Sequence, residues 1–280
     1  MKKHSSLVLT LLLLVGVGAS HPALVHAGEK ITAEELVAKH LSAIGTEEAR
    51  KKNEARRLEG PAAVKFVVGG HGVLQGTGKL LSRANDMRYT MRLSGIDYPG
   101  EDFLKSGDQT SIAIISPGTR SALGSFLFFN SEILREGLVG GVMSAAWPML
   151  SLEAHHAKLA VRGVKKIGGK QLYEVLYLPH KSNSNLDILL YFDAQTFQHV
   201  LTRYHLKVHA FPGLRGSNGG SSDAANEVEE RFSEFHQVDG ITIPLRWIIH
   251  YEGDQGVIID YEMVVQKAGH DIAADAFKMP

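Results

Sequence analysis

The sequence has 280 residues, no cysteine, and no excess of charge of either sign. Without cysteine, disulfide bonds, thiol catalysis and a lipid-modified N-terminal cysteine are all excluded, so stability must come from a packed core. Thirty Lys and Arg residues balance thirty Asp and Glu residues. A balanced chain lacks the basic face that nucleic acid demands, so we expect no nucleic-acid partner.

Sequence motifs of common enzymes are also missing. The sequence contains no phosphate loop of the Walker type, no Gly-x-Ser-x-Gly elbow and no His-Glu-x-x-His zinc motif. Gly70-His71-Gly72 with Gly76 has one residue too many for a dinucleotide loop and instead predicts a turn between strands. Acidic neighbours such as Glu101-Asp102 would face opposite ways on a strand. We therefore expect a protein that is not an enzyme and needs no cofactor.

Histidine is abundant, and eleven of the fourteen histidines follow Ala27. His205 and His209 would share a face of a helix, but the residues around them alternate with a period of two. On a strand, four residues at ~3.3 Å each place them about 13 Å apart, too far to share one ion. His155 and His156 are adjacent and point to different sides in either regular structure. The spacing therefore predicts no metal site.

The N-terminus has the three-part layout of a secretory signal peptide. Lys2 and Lys3 precede an apolar run from Leu7 to about Ala19, and Val25-His26-Ala27 supplies small residues at a cleavage site. The apolar run is shorter than the roughly 20 residues that cross a bilayer. We expect residues 1–27 to be removed, an uncleaved signal anchor being the alternative, and residues 28–280 to form one exported domain.

Two helices are predicted directly after the signal peptide, within about residues 32–56. Thr32 and Glu35 form the reciprocal pattern of a capping box, and Gly45 stands where a helix would end. Between them, helical spacing relates five residues, namely Leu36, Val37, His40, Leu41 and Ile44. A second, polar helix is expected from about Thr46 to Arg56.

From Leu58 onward the hydrophobic period changes to two, which is typical of strands with one buried face. Short glycine-containing turns such as Gly168-Gly169 and Asp239-Gly240 connect these runs. Strands joined by hairpins predict an antiparallel meander rather than βαβ units. The clearest alternating runs place these residues on one face: Tyr89, Met91 and Leu93; Tyr204, Leu206 and Val208; Leu245, Trp247, Ile249 and Tyr251; Val257, Ile259 and Tyr261.

Two segments interrupt the meander. After Phe126-Leu127-Phe128-Phe129, Asn130 or Ser131 can cap an apolar helix over about residues 131–147, which Pro148 would end. This helix has almost no polar face beyond Leu138, so we expect it to be buried on most sides. Residues 212–226, rich in Gly, Ser and Asn, predict a flexible loop between strands.

The order of these segments resembles the outer-membrane lipoprotein-sorting protein family, which is related to the periplasmic carrier LolA and the receptor LolB. The resemblance covers nearly the whole mature chain. It is carried by the signal peptide, the helix ending Ala43-Ile44-Gly45, the apolar segment ending at Trp147, the turn from Tyr191 to Thr196, the hairpin from Val238 to Pro244, and the closing Asp275-Ala276-Phe277.

The resemblance implies an α+β fold that is mainly antiparallel β, an unclosed and strongly curved β-barrel with a few helices covering an apolar interior. It also implies a periplasmic protein whose partners are lipid or lipoprotein acyl chains, with peripheral membrane contact. The sequence leaves open whether the interior is a cavity or a filled core. A filled core would make the protein an envelope scaffold. An unrecognised hydrolase is a further alternative. The predicted ligand-binding residues are Leu134, Leu138, Val142, Met143, Trp147, Tyr89, Met91, Leu206, Trp247 and Ile249.

Overall fold

A computed structural model describes residues 31–114, 118–181, 185–206, 227–253 and 256–280. The predicted signal peptide, the predicted loop at 212–226 and His209 lie outside the described residues. Everything that follows concerns the described ranges.

Both N-terminal helices are present. Helix α1 (Ala33–Ile44) begins at the predicted capping box, in which the Thr32 hydroxyl accepts from the Glu35 amide at 3.1 Å and the Thr32 amide donates to the Glu35 carboxylate at 3.0 Å. Helix α2 (Glu47–Lys52) ends four residues before the predicted Arg56. The chain turns into the sheet there because Arg56 is buried and bonds to carbonyl groups inside the molecule.

The rest of the described chain is dominated by one antiparallel sheet of thirteen strands. Its strands are β1 (Ala55–Val68), β2 (Val73–Arg83), β3 (Asp86–Leu93), β4 (Gly100–Ser106), β5 (Gln109–Ile112), β6 (Lys158–Ile167), β7 (Lys170–Leu178), β8 (Leu186–Asp193), β9 (His199–Leu206), β10 (Glu227–Val238), β11 (Ile241–Glu252), β12 (Ile258–Val264) and β13 (Lys267–Gly269).

The order across the sheet is β5-β4-β3-β2-β1-β12-β11-β10-β9-β8-β7-β6, with β13 also paired to β1. Within the described residues β5 and β6 remain edge strands, so the barrel is unclosed. The meander is confirmed, including its tight turns. Gly168-Gly169 and Asp239-Gly240 each have two consecutive positive φ angles, the conformation that two-residue hairpins of type I′ require.

One face of the sheet is buried, as the period-two pattern predicted. Tyr89 and Met91 on β3, and Trp247 and Ile249 on β11, are at most 3% exposed. The natural right-handed twist of such a long sheet curves it around its apolar face. The concave side therefore has to be covered by the rest of the chain.

The prediction of a single apolar helix over about residues 131–147 is wrong. The chain instead forms several short turns of helix and irregular links, because Gly137, Gly140 and Gly141 adopt positive φ angles of 74°, 79° and 48°, which a right-handed helix cannot include. The observed elements are α3 (Ala122–Phe129), α4 (Glu132–Arg135), two 3₁₀ turns (Gly141–Met143 and Pro148–Leu150) and α5 (Leu152–His155).

We call residues 121–150 the plug segment, because they fill the concave side of the sheet. Burial on most sides, which the apolar composition predicted, is observed: Leu134, Leu138, Met143 and Trp147 are fully buried. Within the described ranges, no helix is both long enough and apolar enough to cross a membrane.

Candidate ligand groove and the filled interior

The sequence-predicted ligand residues lie in the core. Nine of them are at most 3% exposed, and Leu206 is partly buried against the same core. A small cavity touches Val142, and its volume is about 10 Å³, room for about one water molecule. Contact between these residues and a ligand stays a prediction that requires the plug segment to move. The nine are Leu134, Leu138, Val142, Met143, Trp147, Tyr89, Met91, Trp247 and Ile249.

Buried hydrogen bonds attach the plug segment to the sheet. Glu230 on β10 accepts from the Tyr204 hydroxyl at 2.7 Å and from both the Trp247 indole and the Gly140 amide at 2.8 Å. Burial raises the pKa of the Glu230 carboxyl to about 7. Since Gly140 belongs to the plug and the other partners to the sheet, this carboxylate joins the two.

Arg56 and Ser82 make a second attachment, from strands β1 and β2. The Arg56 guanidinium donates to the Val142 carbonyl at 2.6 Å and the Ser144 carbonyl at 3.3 Å. The Ser82 hydroxyl accepts from the Ala145 amide at 2.8 Å. These bonds satisfy backbone groups that irregular structure leaves open, which is why a segment without long helices can be buried.

Trp147 forms a third attachment, toward α1 and β9. Its indole donates to His40 Nε2 at 3.1 Å, and the other ring nitrogen of His40 bonds to the Phe197 carbonyl at 2.9 Å. His199 stacks on Trp147 with 4.5 Å between ring centroids. Burial lowers the pKa of His40 to about 4, so this histidine is neutral and its Nε2 can accept a hydrogen bond from the indole N–H.

Two more carboxylates form bonds with the plug, one near its middle and one at its first residue. Glu136 in the plug accepts from the Tyr177 hydroxyl of β7 at 2.6 Å and faces His155 at 3.6 Å. Glu101 on β4 accepts from Tyr98, and the hydroxyl of Ser121 also bonds to it. Burial raises the pKa of Glu101 to about 7. The plug is thus fixed at several points along its length.

An open apolar groove lies beside the plug, and we call it the mouth groove. It has a volume of about 900 Å³, within the range of about 300–1,000 Å³ typical of ligand sites. Six of its side chains are apolar and only partly buried. These six are Val37 and Leu41 of α1, Leu150 and Leu152, and Ala157 and Leu159 before and in β6.

Sequence reasoning missed this groove, although α1 carried one signal of it. The apolar stripe of α1 is wider than its packing needs: Leu36, His40 and Ile44 are buried, whereas Val37 and Leu41 stay partly open. The opposite wall comes from residues more than 100 positions away. No local pattern connects the two walls, so only the fold reveals the groove.

The histidines singled out earlier fall in separate places. His205 lies on β9, with its Nδ1 3.4 Å from the Glu227 carboxylate. His155 faces Glu136, and His156 lies beside His180 with 5.7 Å between ring centroids. Within the described ranges, no three His, Asp or Glu side chains are grouped so that they could hold a metal ion.

Comparison with solved structures identifies the fold. A LolA superfamily protein from Nitrosomonas europaea is 12% identical with a TM-score of 0.50, and the match covers 90% of this chain and 99% of that one. A DUF1329 family protein from Desulfovibrio piger is 12% identical with a TM-score of 0.51, covering 88% of this chain and 96% of the other. No family model and no curated protein matches the sequence. The chain has a LolA-like fold, as the resemblance implied.

Proposed function

We propose that this protein binds an acyl chain of a lipid or lipoprotein reversibly in the mouth groove, with no bond made or broken. The observation that carries the proposal is the open apolar groove itself, lined by partly buried Val37, Leu41, Leu152 and Leu159. Each methylene removed from water contributes about 0.8 kcal/mol. Part of one chain is therefore enough for useful affinity.

The groove fits this role better than the interior does. Insertion of a chain into the interior would require displacement of buried side chains and of the bonds made by Glu230, Arg56 and Trp147. A buried donor or acceptor left without its partner costs about 1–3 kcal/mol. The groove needs no such displacement, because its walls already stand apart.

The fold shared with a LolA superfamily protein supports the proposal, since the resemblance of the sequence to the lipoprotein-sorting family implies acyl-chain ligands. A carrier of this kind needs no catalytic group.

Displacement of a fluorescent fatty acid by unlabelled fatty acid tests the proposal. Val37→Asp and Leu41→Asp place a charge in the groove, where an unpaired carboxylate is disfavoured, and should weaken probe binding at least tenfold. Val164→Asp is the matched control, because Val164 is a 37% exposed valine on β6 that does not line the groove. Melting curves of all three variants separate lost binding from lost folding. Equal binding by the parent and the two groove variants would reject the groove.

The packed interior favours a second candidate, an envelope scaffold that binds no lipid. Its specific support is the filled concave side of the sheet, where the cavity beside Val142 measures about 10 Å³. In that case the parent protein binds no acyl probe and carries no lipid when purified gently from its host. Mass spectrometry of the purified protein decides between the two.

The proposed role requires export, which the N-terminal sequence supports. Lys2, Lys3 and the apolar run that follows predict cleavage between Ala27 and Gly28. N-terminal sequencing of the exported protein should begin at Gly28. A mature protein that still begins at Met1 would contradict export by a cleaved signal.

Peripheral membrane contact, the remaining expectation, has a candidate surface at one end of the sheet. Val67, Val68 and Val73 at the β1–β2 turn are 44–52% exposed, and Ile96 between β3 and β4 is 97% exposed. Exposed Lys65 pairs with Val73 across the hairpin, so a cation lies beside the apolar tip. Ile96→Asp should reduce pelleting with vesicles of anionic phospholipid, whereas Val164→Asp should not. Equal pelleting of both variants would exclude this end.

A further inference from the structure

A second cavity adjoins the mouth groove, and its lining is basic. It has a volume of about 530 Å³ and shares Ser151 and Ala154 with the groove. On the short helix α5, Leu152 lines the groove and His155 lines this second cavity. We call it the basic pocket. The two cavities therefore lie side by side and meet at α5.

Five nitrogen-bearing side chains line the basic pocket: Arg135, His155, His156, His180 and Lys181. They come from α4, from α5 and the residue that follows it, and from the loop after β7. Segments far apart in sequence thus bring cationic or protonatable groups to one cavity.

Two carboxylates, Asp108 and Glu136, also line the pocket. The Glu136 carboxylate is already occupied, because it accepts from Tyr177 and faces His155. Lys105 does not line the pocket; it donates to the Asn85 carbonyl at 2.6 Å and is attracted to the carboxylates of Asp86, Asp108 and Glu136. In formal charge Arg135 and Lys181 balance Asp108 and Glu136, and the three histidines give the pocket its excess of nitrogen-bearing groups over carboxylates.

His156 is held in a conformation that suits a binding site. Its φ of 49° lies in the left-handed region, which residues other than glycine seldom adopt. The conformation places its ring 5.7 Å from the ring of His180.

We infer that the basic pocket binds the anionic headgroup, phosphate or carboxylate, of an amphiphile whose chain lies in the mouth groove. The inference rests on the proposed function, since it takes the groove as the site of the chain. It adds the ligand class: single-chain anions in preference to neutral or cationic amphiphiles. Arg135 and Lys181 supply the permanent positive charges, and the histidine rings supply nitrogen groups that can donate hydrogen bonds to the headgroup.

The test is calorimetric titration at pH 6 with three amphiphiles of equal chain length, each below its micelle concentration. Tetradecyl phosphate and tetradecanoate are anionic and represent the two headgroup sources, and monotetradecanoyl glycerol is neutral. Charge-assisted bonds should make at least one anion bind about tenfold or more tightly than the neutral compound. Arg135→Gln and Lys181→Gln should each remove most of this preference and leave the affinity for the neutral compound unchanged.

Lys166→Gln is the control for net charge, because Lys166 is an exposed residue of β6 outside both cavities. If Arg135→Gln fails to fold, exposed Lys181→Gln alone carries the comparison. Equal affinity for all three amphiphiles, unaffected by either substitution, would overturn the headgroup site and leave the groove intact. Binding of none of the three would overturn the proposed function together with this inference.

Discussion

Glu230 bonds the plug to the sheet, and its ionisation makes the stability of the fold depend on pH. Burial raises the pKa of its carboxyl to about 7 from an ordinary value of 4.5. The folded protein therefore binds a proton more tightly than the unfolded chain does. The contribution to stability is fully present below about pH 4.5 and is lost as the pH rises to about 7. The difference corresponds to at most about 3 kcal/mol.

Glu230→Gln removes this titration while keeping an oxygen for Trp247 and Gly140 and an amide that can donate to the Tyr204 oxygen. Urea unfolding of both proteins between pH 4 and pH 8 measures the effect. We expect the parent to lose stability relative to the glutamine variant as the pH rises from about 5 to about 7. Parallel stability curves would show that the carboxylate is ionised in the fold throughout this range.

Glycines shape the plug at the scale of the element. Gly137 has a φ of 74°, and a Cβ atom there would overlap the Ala146 carbonyl oxygen. Gly168, in the β6–β7 turn, has a φ of 56°, and a Cβ atom there would meet no other group within 4 Å. Both positions have a positive φ angle, but only at Gly137 would a Cβ atom overlap another group.

Gly137→Ala should therefore destabilise the protein by roughly 2–4 kcal/mol, because the plug backbone must shift. Gly168→Ala should cost only about 1 kcal/mol, the conformational contribution alone. Chemical unfolding of both variants gives the comparison. Equal losses would mean that the close approach of Gly137 to Ala146 contributes nothing to stability.

The strands were predictable and the plug was not, for a physical reason. In β3 and β11 one face meets the core and the other meets water, so Tyr89 and Trp247 stand out from their polar neighbours by a period of two. In the plug nearly every residue is buried, so composition shows burial without a period. Its path is set by bonds from distant strands, which leave no local signal, and by Gly137, Gly140 and Gly141, which are visible in the sequence but do not reveal the path that the chain takes.

At the scale of the whole molecule, the plug connects both halves of the sheet. Arg56 and Ser82 bind it from β1 and β2, Glu230 from β10, and Tyr177 from β7. Breaking the bonds between the plug and one strand would expose buried polar groups to water and weaken the bonds between the plug and the other strands. This arrangement predicts that residues 28–280 unfold as one domain.

Scanning calorimetry should accordingly give one transition whose calorimetric and van't Hoff enthalpies agree. Deletion of a single attachment, as in Ser82→Ala, should lower the melting temperature without splitting the peak. Two separated transitions in the parent would show that the plug and the sheet, or the two halves of the sheet, fold independently.

The chain has only two tryptophans, and both lie where plug and sheet meet. Trp147 belongs to the plug and donates to His40, and Trp247 belongs to the sheet and donates to Glu230. All of the indole emission of the protein therefore originates at this contact. A shift of that emission to longer wavelength would report water entering the contact. Lipid titration of the unlabelled, wild-type protein therefore distinguishes a chain bound in the mouth groove, which leaves the plug in place, from a chain that displaces the plug.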